Sequence, residues 1–196
     1  MAELRIGCLV MAAGSGSRFG RNKLAAVIDG KTLLRRALEA VPQEEFACVT
    51  VVTQYDGAAA LAEEFGFTVV RNDRPEDGLS RTVRLGTEAM AGCDAIMYQV
   101  ADQPLLERDT VRREVELFRA HPDRIVGLGH NGVRGNPCIF PRRFFPELTA
   151  LTGDVGGNAV IRAHPEALLL CETAAAELRD VDTVEALAAI RTEKMM

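Results

Sequence analysis

Hydrophobic positions along the chain form two kinds of segment that alternate. Some are continuous apolar runs without helical spacing, such as 4–13 and 46–53, and these are typical of strands buried in a parallel sheet. Others repeat their apolar positions every three or four residues, as in 32–41, which predicts amphipathic helices. Strands that alternate with helices indicate βαβ units, and therefore an α/β fold with a mostly parallel central sheet and helices on both faces.

The boundaries of these segments predict seven strands and seven helices. No repeat, low-complexity tract or linker divides them, so we expect a single domain over residues 1–196. In such folds ligands bind beyond the carboxyl ends of the strands, and the loops there are where we look for chemistry. Strands are predicted at 4–13, 46–53, 67–70, 95–101, 124–128, 137–140 and 167–171, and helices at 32–41, 58–65, 80–91, 106–120, 142–151, 157–163 and from about residue 183.

Composition narrows the class of protein. The net charge of −5 leaves no basic surplus for displacing counterions from nucleic acid. No apolar run reaches the roughly 18–20 residues of a membrane span, and the N-terminal segment lacks the features of a signal peptide, so we expect a cytoplasmic protein without a membrane partner. The five cysteines are scattered without a C-x-x-C pair, which indicates reduced thiols; four lie in apolar stretches and are predicted to be buried.

A glycine-rich loop, MAAGSGSRFGRNK at 11–23, follows the first predicted strand. A dinucleotide-binding fingerprint does not fit, because the third glycine, Gly20, comes one residue late. The phosphate loop of P-loop proteins does not fit either, since Lys23 follows no glycine and precedes no Ser or Thr. A simple flexible turn leaves its basic residues unexplained. We therefore interpret the loop as a triphosphate cradle, with backbone N–H groups close to phosphate oxygens and Arg18 and Lys23 supplying positive charge.

The same segment resembles the L-A-A-G-x-S-x-R-M-G-x-x-K-L signature of the molybdenum cofactor nucleotidyltransferases. Phe19 stands where Met is usual and Gly16 where Ser is usual. Alanines at 12 and 13 are similar to those of the CTP-using branch, whereas the guanylyl branch typically has glycines there. Isoprenoid-pathway cytidylyltransferases have a similar loop. The resemblance implies a nucleotide site that includes Ala12, Ala13, Gly14, Ser15, Gly16, Arg18 and Lys23.

Acidic residues at two later positions complete the predicted centre. Asp102 ends the fourth strand, where a carboxylate suits either Mg²⁺ or a helix N-cap. Its D-Q-P context resembles the metal-binding segment of the cytidylyl branch. Asp182 lies in RDVDTVEAL, which resembles the closing D-I-D-T-P-E-D-L motif and implies a second metal-facing carboxylate. Capping of the last helix, by Asp182 or Thr183, is the alternative.

Further segments resemble parts of the family's nucleotide pocket and acceptor side. Gly78, Ser80 and Thr82 open a predicted helix and are similar in kind to a segment that lines the nucleotide pocket in the family; plain capping by Ser80 is the alternative. The segments 135–137 and 152–158 resemble loops on the acceptor side. There Asn158 replaces the usual arginine, which removes a charge expected near an anionic pterin.

Taken together, the motifs imply a three-layer, Rossmann-like nucleotidyltransferase fold. The implied reaction is Mg²⁺-dependent transfer of CMP from CTP to the terminal phosphate of molybdopterin, with release of pyrophosphate. Lys23, Arg18 and Asp102 are the expected catalytic residues, Asp102 and Asp182 the metal ligands, and a molybdenum hydroxylase apoenzyme a possible partner. Three alternatives stay open: GTP as donor, another acceptor such as a polyol or isoprenoid phosphate, and a non-catalytic cofactor carrier.

Overall fold

A seven-stranded sheet forms the centre of the computed structural model, which describes residues 4–14 and 22–193. The strand order is β5-β4-β1-β6-β8-β7-β9, and a separate two-stranded hairpin pairs β2 with β3. The strands are β1 (Ile6–Ala12), β2 (Val27–Ile28), β3 (Lys31–Thr32), β4 (Cys48–Thr53), β5 (Thr68–Arg71), β6 (Ala95–Val100), β7 (Ile125–His130), β8 (Val133–Pro141) and β9 (Leu168–Glu172).

Helices cover both faces of this sheet. The α-helices are α1 (Leu33–Glu39), α2 (Asp56–Glu64), α3 (Leu79–Ala89), α4 (Arg108–Ala120), α5 (Phe145–Thr149), α6 (Asn158–Ala163) and α7 (Val184–Glu193). Short 3₁₀ segments lie at Lys23–Ala25, Gln43–Glu45, Pro75–Asp77, Arg142–Phe144, Pro165–Ala167 and Ala175–Leu178.

Successive side chains of β1 point alternately into two different cores, which shows why the fold has three layers. Cys8 and Val10 pack into a core shared with α1, α2 and α4, whereas Leu9 packs into a second core with α3, α5 and α6. Successive side chains of a strand point to opposite faces, so a strand that is apolar at every position must be covered on both sides. This confirms the fold expected from the sequence.

The direction of one strand differs from a simple parallel reading. β8 runs antiparallel to both of its neighbours, β6 and β7, while the other four strand pairings are parallel. It is also longer than the predicted segment 137–140, because it begins in the hairpin that follows β7. An apolar run indicates that a strand is present but not in which direction it runs. The direction of β8 is set by the tight turn at Asn131 and Gly132, both with positive φ.

Two local features were not predicted. Asp29 and Gly30, both with positive φ, form the turn of the β2–β3 hairpin, whose strands of two residues each are too short for a hydrophobic pattern. The predicted helix at 142–151 is divided into a 3₁₀ turn and α5, which begins one residue before Pro146. Proline is tolerated in the first turn of a helix but not in its interior.

A small third core joins the C-terminal helix to that hairpin. Its buried side chains are Ile28, Leu33, Val181, Leu187 and Ile190. The guanidinium of Arg191 also donates to the Val27 carbonyl, 3.0 Å from Nε. The helix is thereby fixed beside the segment that follows the glycine-rich loop.

Four cysteines are buried, as many as predicted, but Cys48 of the predicted strand 46–53 is less buried than Cys93, which lies outside the predicted elements. Cys8, Cys93, Cys138 and Cys171 are buried, and Cys48 is half-buried. Among the described residues, no helix combines the length and the apolar composition that crossing a membrane requires.

Candidate functional site

A cleft of about 810 Å³ opens at the carboxyl ends of β1 and β6, beside the N-terminus of α3. This is the edge of the sheet at which the sequence predicts a ligand. Seven of the predicted site residues line it, namely Ala13, Gly14, Lys23, Gly78, Thr82, Asp102 and Asp182. Ala12 and Ser80 are buried and are not among the lining residues. Ser15, Gly16 and Arg18 lie outside the described residues.

The start of the glycine-rich loop is fixed by side chains from the end of β4. Thr53 Oγ1 donates to the Ala12 carbonyl at 2.9 Å, and Gln54 Nε2 donates to the Ala13 carbonyl at 2.7 Å. Tyr55 donates its hydroxyl to the Gly14 carbonyl at 2.9 Å. A carbonyl and the N–H that follows it point in opposite directions in a trans peptide, so the first two of these bonds direct the N–H groups of Ala13 and Gly14 away from the end of β4. That orientation suits a loop whose donors bind an anion.

Lys23 lies between two carboxylates inside the cleft. Its Nζ is 2.5 Å from Asp102 Oδ2 and 2.8 Å from Asp182 Oδ1. The lysine and Asp102 side chains are only 16% and 18% exposed, whereas Asp182 is 52% exposed. Burial alone would lower the pKa of Lys23, but the two carboxylates outweigh it and raise that pKa. The ammonium group is therefore charged at neutral pH.

Backbone contacts bring Asp182 to this position although it is 80 residues from Asp102 in sequence. The Val181 N–H donates to the Asp102 carbonyl at 2.9 Å. Gln103 is buried and donates its side-chain amide to the Leu178 carbonyl at 3.2 Å. These hydrogen bonds hold the segment before α7 against the end of β6.

The capping alternatives for the two aspartates can be compared directly. Thr183 Oγ1 accepts from the Ala186 N–H at 3.1 Å, so Thr183 caps α7 and Asp182 faces Lys23 instead. At the start of α4 the N-cap position belongs to Glu107, five residues after Asp102. Neither carboxylate is committed to a helix end.

A third carboxyl group, Asp180, lies against this centre. Burial raises its pKa to about 6, and the negative charges of Asp102 and Asp182 act in the same direction. A hydrogen bond from Gln103 and the charge of Lys23 oppose the shift. Among the described residues, three acidic side chains therefore interact electrostatically with Lys23.

The donor chemistry of this centre fits a hard divalent cation. Two carboxylate oxygens converge on the same point, which Lys23 Nζ occupies. No group of three or more His, Cys, Asp or Glu side chains in a metal-binding arrangement occurs in the described part of the chain. Mg²⁺ typically takes one or two protein carboxylates and completes its shell with substrate phosphates and water, so Asp102 and Asp182 suffice as protein ligands.

The N-terminus of α3 forms the opposite wall of the cleft. Gly78 has a φ of +86°, and a Cβ there would lie 2.5 Å from the backbone of Gly153, so only glycine fits. Ser80 caps nothing: its N–H donates to the Gly153 carbonyl, and no side-chain cap bond is made at this helix start. These contacts hold the 153–157 loop against the cleft.

Arg81, which is unusual at its position, is directed away from the cleft. Its guanidinium bonds to Asn72 Oδ1 at 3.1 Å and to the Asp73 carboxylate. Thr82, the next residue, lines the cleft and accepts from Asn72 Nδ2 at 3.2 Å. The large side chain therefore does not narrow the predicted nucleotide pocket.

A smaller pocket of about 280 Å³ adjoins this cleft and shares Met11, Leu79 and Val100 with it. Its remaining lining residues are Val83, Tyr98, Arg134, Asn136, Cys138, Phe140, Gly156, Gly157, Asn158 and Ile161. Both segments that the sequence assigns to the acceptor side, 135–137 and 152–158, thus contribute to it.

Several residues of the site were not predicted. Thr53 ends a buried strand and Gln54 and Tyr55 follow it, and this position is the signal that could have identified them. Gln103 and Asp180 stand inside recognised motifs, but their roles depend on burial, which the sequence does not show.

Comparison with known proteins gives the family context. The model of the MobA-like NTP transferase domain matches residues 8–168. "Purine catabolism protein PucB" of Bacillus subtilis is 24% identical over 188 residues, which cover 89% of this chain and 90% of that protein. "Molybdenum cofactor guanylyltransferase" of Rhodobacter capsulatus is 32% identical over 124 residues, 60% of this chain and 62% of that enzyme.

Solved structures share the fold at lower identity. A homolog of Mycobacterium tuberculosis Rv0371c from Mycobacterium sp. strain JC1 superimposes with a TM-score of 0.80 at 23% identity, covering 98% of each chain. Rv0371c of M. tuberculosis in complex with manganese gives a TM-score of 0.72 at 23% identity, over 96% of this chain and 98% of that one. The sheet with helices on both faces is thus the nucleotidyltransferase fold.

Proposed function

The chain belongs to the MobA-like NTP transferase domain family, and from that premise we propose that it transfers CMP from CTP to the terminal phosphate of molybdopterin, releasing pyrophosphate. The observation that carries the proposal is the cluster in which Lys23 Nζ meets the carboxylates of Asp102 and Asp182 inside the large cleft. A lysine and paired acidic groups at the carboxyl edge of the sheet suit a triphosphate with a divalent cation.

In this proposal the side chains act by position and charge. Lys23 binds triphosphate oxygens and stabilises the pyrophosphate that leaves, together with Arg18 of the glycine-rich loop. Backbone N–H groups of Ala13 and Gly14, which follow the carbonyls bonded by Thr53 and Gln54, bind phosphate from the other side. No covalent intermediate with the protein is required.

Asp102 and Asp182 are the proposed ligands of the divalent cation. Mg²⁺ held there would neutralise phosphate oxygens and stabilise charge that develops at the α-phosphorus. The manganese complex of the related fold supports a divalent ion in proteins of this shape. The half-exposed Asp182 leaves the ion's remaining positions open to the substrate.

CTP is the proposed nucleotide because of two sequence features. Ala12 and Ala13 resemble the CTP-using branch, and so does the D-Q-P tripeptide that begins at Asp102. The guanylyltransferase relative favours GTP as the second candidate. Each candidate predicts the same catalytic cluster and a different base preference.

The experiment is pyrophosphate release by the purified protein with molybdenum cofactor and Mg²⁺, compared among CTP, GTP, ATP and UTP. We expect release with CTP alone. Release with GTP in place of CTP would keep the reaction class and overturn the base assignment. Absence of release with all four nucleotides, from protein that still binds CTP, would contradict the assignment of molybdopterin as the acceptor. Tight binding of the cofactor without pyrophosphate release would instead support the alternative of a non-catalytic cofactor carrier.

A further inference from the structure

Arg134 lies in β8 and lines the smaller pocket. Its Nη2 donates to Asn158 Oδ1 at 3.0 Å, and its Nη1 contacts the Gly135 carbonyl at 3.0 Å and Cys138 Sγ at 3.2 Å. The guanidinium is therefore held from two sides, by its own strand and by the first residue of α6. Asn158 stands where the resemblance expects an arginine, so a guanidinium from another element lies against that position.

The charge of Arg134 has no counterion in the described part of the chain. Its hydrogen-bond partners there are a carbonyl, an amide oxygen and a thiol, all of them uncharged acceptors. Most other arginines of the described residues pair with a carboxylate, as Arg81 does with Asp73 and Arg119 with Glu45. A guanidinium has five N–H donors, so donors remain for a ligand after these three contacts.

The remaining walls of this pocket are largely apolar. Tyr98 and Phe140 pack edge to face at 5.5 Å, and Leu79 and Ile161 lie with them. The amides of Asn136 and Asn158 add neutral hydrogen-bonding groups. A compact, partly aromatic body with an anionic group matches this combination of one cation, two amides and an apolar wall.

The position of the pocket relates it to the transfer reaction. It shares Met11, Leu79 and Val100 with the large cleft, and Met11 and Val100 belong to strands whose ends carry Gly14 and Asp102. A molecule in the smaller pocket would therefore lie next to the large cleft. Proximity of this kind is what a second substrate needs to attack a bound nucleotide.

We propose that Arg134, positioned by Asn158, binds the anionic group of the nucleotidyl acceptor, and that this acceptor is a phosphate monoester on a compact apolar or aromatic body. The inference rests on the proposed function, since it assigns the acceptor subsite of the same reaction. Arg134 supplies, from β8, the positive charge that Asn158 does not supply from α6. The reaction itself is unchanged: the acceptor phosphate oxygen forms the bond to the α-phosphorus, and pyrophosphate leaves with the electron pair.

The test is calorimetric binding of phenyl phosphate to protein saturated with α,β-methylene-CTP and Mg²⁺, which keeps the probe out of the triphosphate site. Arg134→Gln should weaken binding at least about tenfold, the scale for losing a charge-assisted hydrogen bond. Asn158→Asp keeps the arginine but gives it a counterion, and should weaken binding to a similar degree. Arg162→Gln makes the same charge change on the exposed side of α6 and should have no effect.

Two outcomes would overturn this assignment: no saturable binding of phenyl phosphate by the wild type, or equal affinity in the wild type and Arg134→Gln. Arg134-dependent binding without pyrophosphate release from molybdenum cofactor would contradict the proposed function while supporting the anion subsite.

Discussion

Lys23 is the residue on which the charge balance of the cleft depends, because it is the cation that Asp102 and Asp182 share. Lys23→Ala should lower turnover by about 10²–10³-fold, the scale for deleting one preorganised electrostatic partner. Steady-state pyrophosphate release measures this. Lys31→Ala is the matched control, since Lys31 lies in the adjacent hairpin and pairs with Glu39 at the surface, 2.7 Å away. Near-normal turnover of Lys23→Ala would remove this lysine from the mechanism.

Asp102 allows a test of the metal assignment at the scale of a single atom. Asp102→Asn retains the shape of the side chain but replaces a carboxylate oxygen, so we expect Mg²⁺-dependent turnover to be lost while circular dichroism and the thermal midpoint stay near those of the wild type. Asp109→Asn is the control, because Asp109 is 83% exposed and its ion pair with Arg112 lies at the surface. Turnover of Asp102→Asn at ordinary Mg²⁺ concentrations would refute the assignment.

At the scale of elements, α7 holds one half of the acidic centre. Leu187 is 4% exposed in the small core that joins this helix to the β2–β3 hairpin. Leu187→Ala should lower the free energy of unfolding by about 2–5 kcal/mol, and should raise the Mg²⁺ concentration needed for half-maximal activity because Asp182 precedes the helix. Denaturant unfolding and metal titration measure the two effects.

Val184→Ala provides the matched control for that helix. It also truncates an aliphatic side chain, but Val184 is 55% exposed, so the expected change in the free energy of unfolding is within about 0.5 kcal/mol. An equal effect of both substitutions would show that α7 is not fixed through its buried face. An unchanged Mg²⁺ requirement in Leu187→Ala would separate the helix from the metal site.

Elements differ in how far their sequence determines them. The run that forms β1 predicts a buried strand because it is apolar at every position, and the spacing of α4 predicts its helix. The direction of β8 was not predictable, since the apolar pattern of a strand is the same in both directions. Site residues could be predicted where one motif carries them on a single loop, as for Lys23. The contact between Arg134 and Asn158 joins two elements 24 residues apart and has no local signal.

At the scale of the whole molecule, one buried acid links stability to pH. Glu114 is fully buried on the face of α4 that packs on the sheet, and neither carboxyl oxygen has a hydrogen-bond partner among the described residues. Burial raises its pKa well above the usual value. The folded protein therefore holds a proton that the unfolded chain releases, so this contribution to stability is present below the ordinary pKa of Glu and is lost as pH rises toward the folded pKa.

Glu114→Gln should remove that dependence. Across this window the wild type should lose about 1.4 kcal/mol more stability per pH unit than the variant loses. Urea unfolding at pH 4.5 and pH 8 measures the difference, which should favour the variant at the higher pH. Glu116→Gln, at an exposed position of the same helix, is the control. Parallel pH profiles of wild type and Glu114→Gln would contradict the account.

The most direct test of the central claim follows the nucleotide itself. CTP and GTP, each labelled at the α-phosphate, are incubated separately with molybdenum cofactor and Mg²⁺, and the label that enters the cofactor is measured for the wild type and for Asp102→Asn. We predict that the wild type transfers label from CTP and not from GTP, and that Asp102→Asn transfers neither. Cofactor that stays unlabelled with both nucleotides, or labelling that survives in Asp102→Asn, would contradict the claim that this cleft performs cytidylyl transfer to molybdopterin.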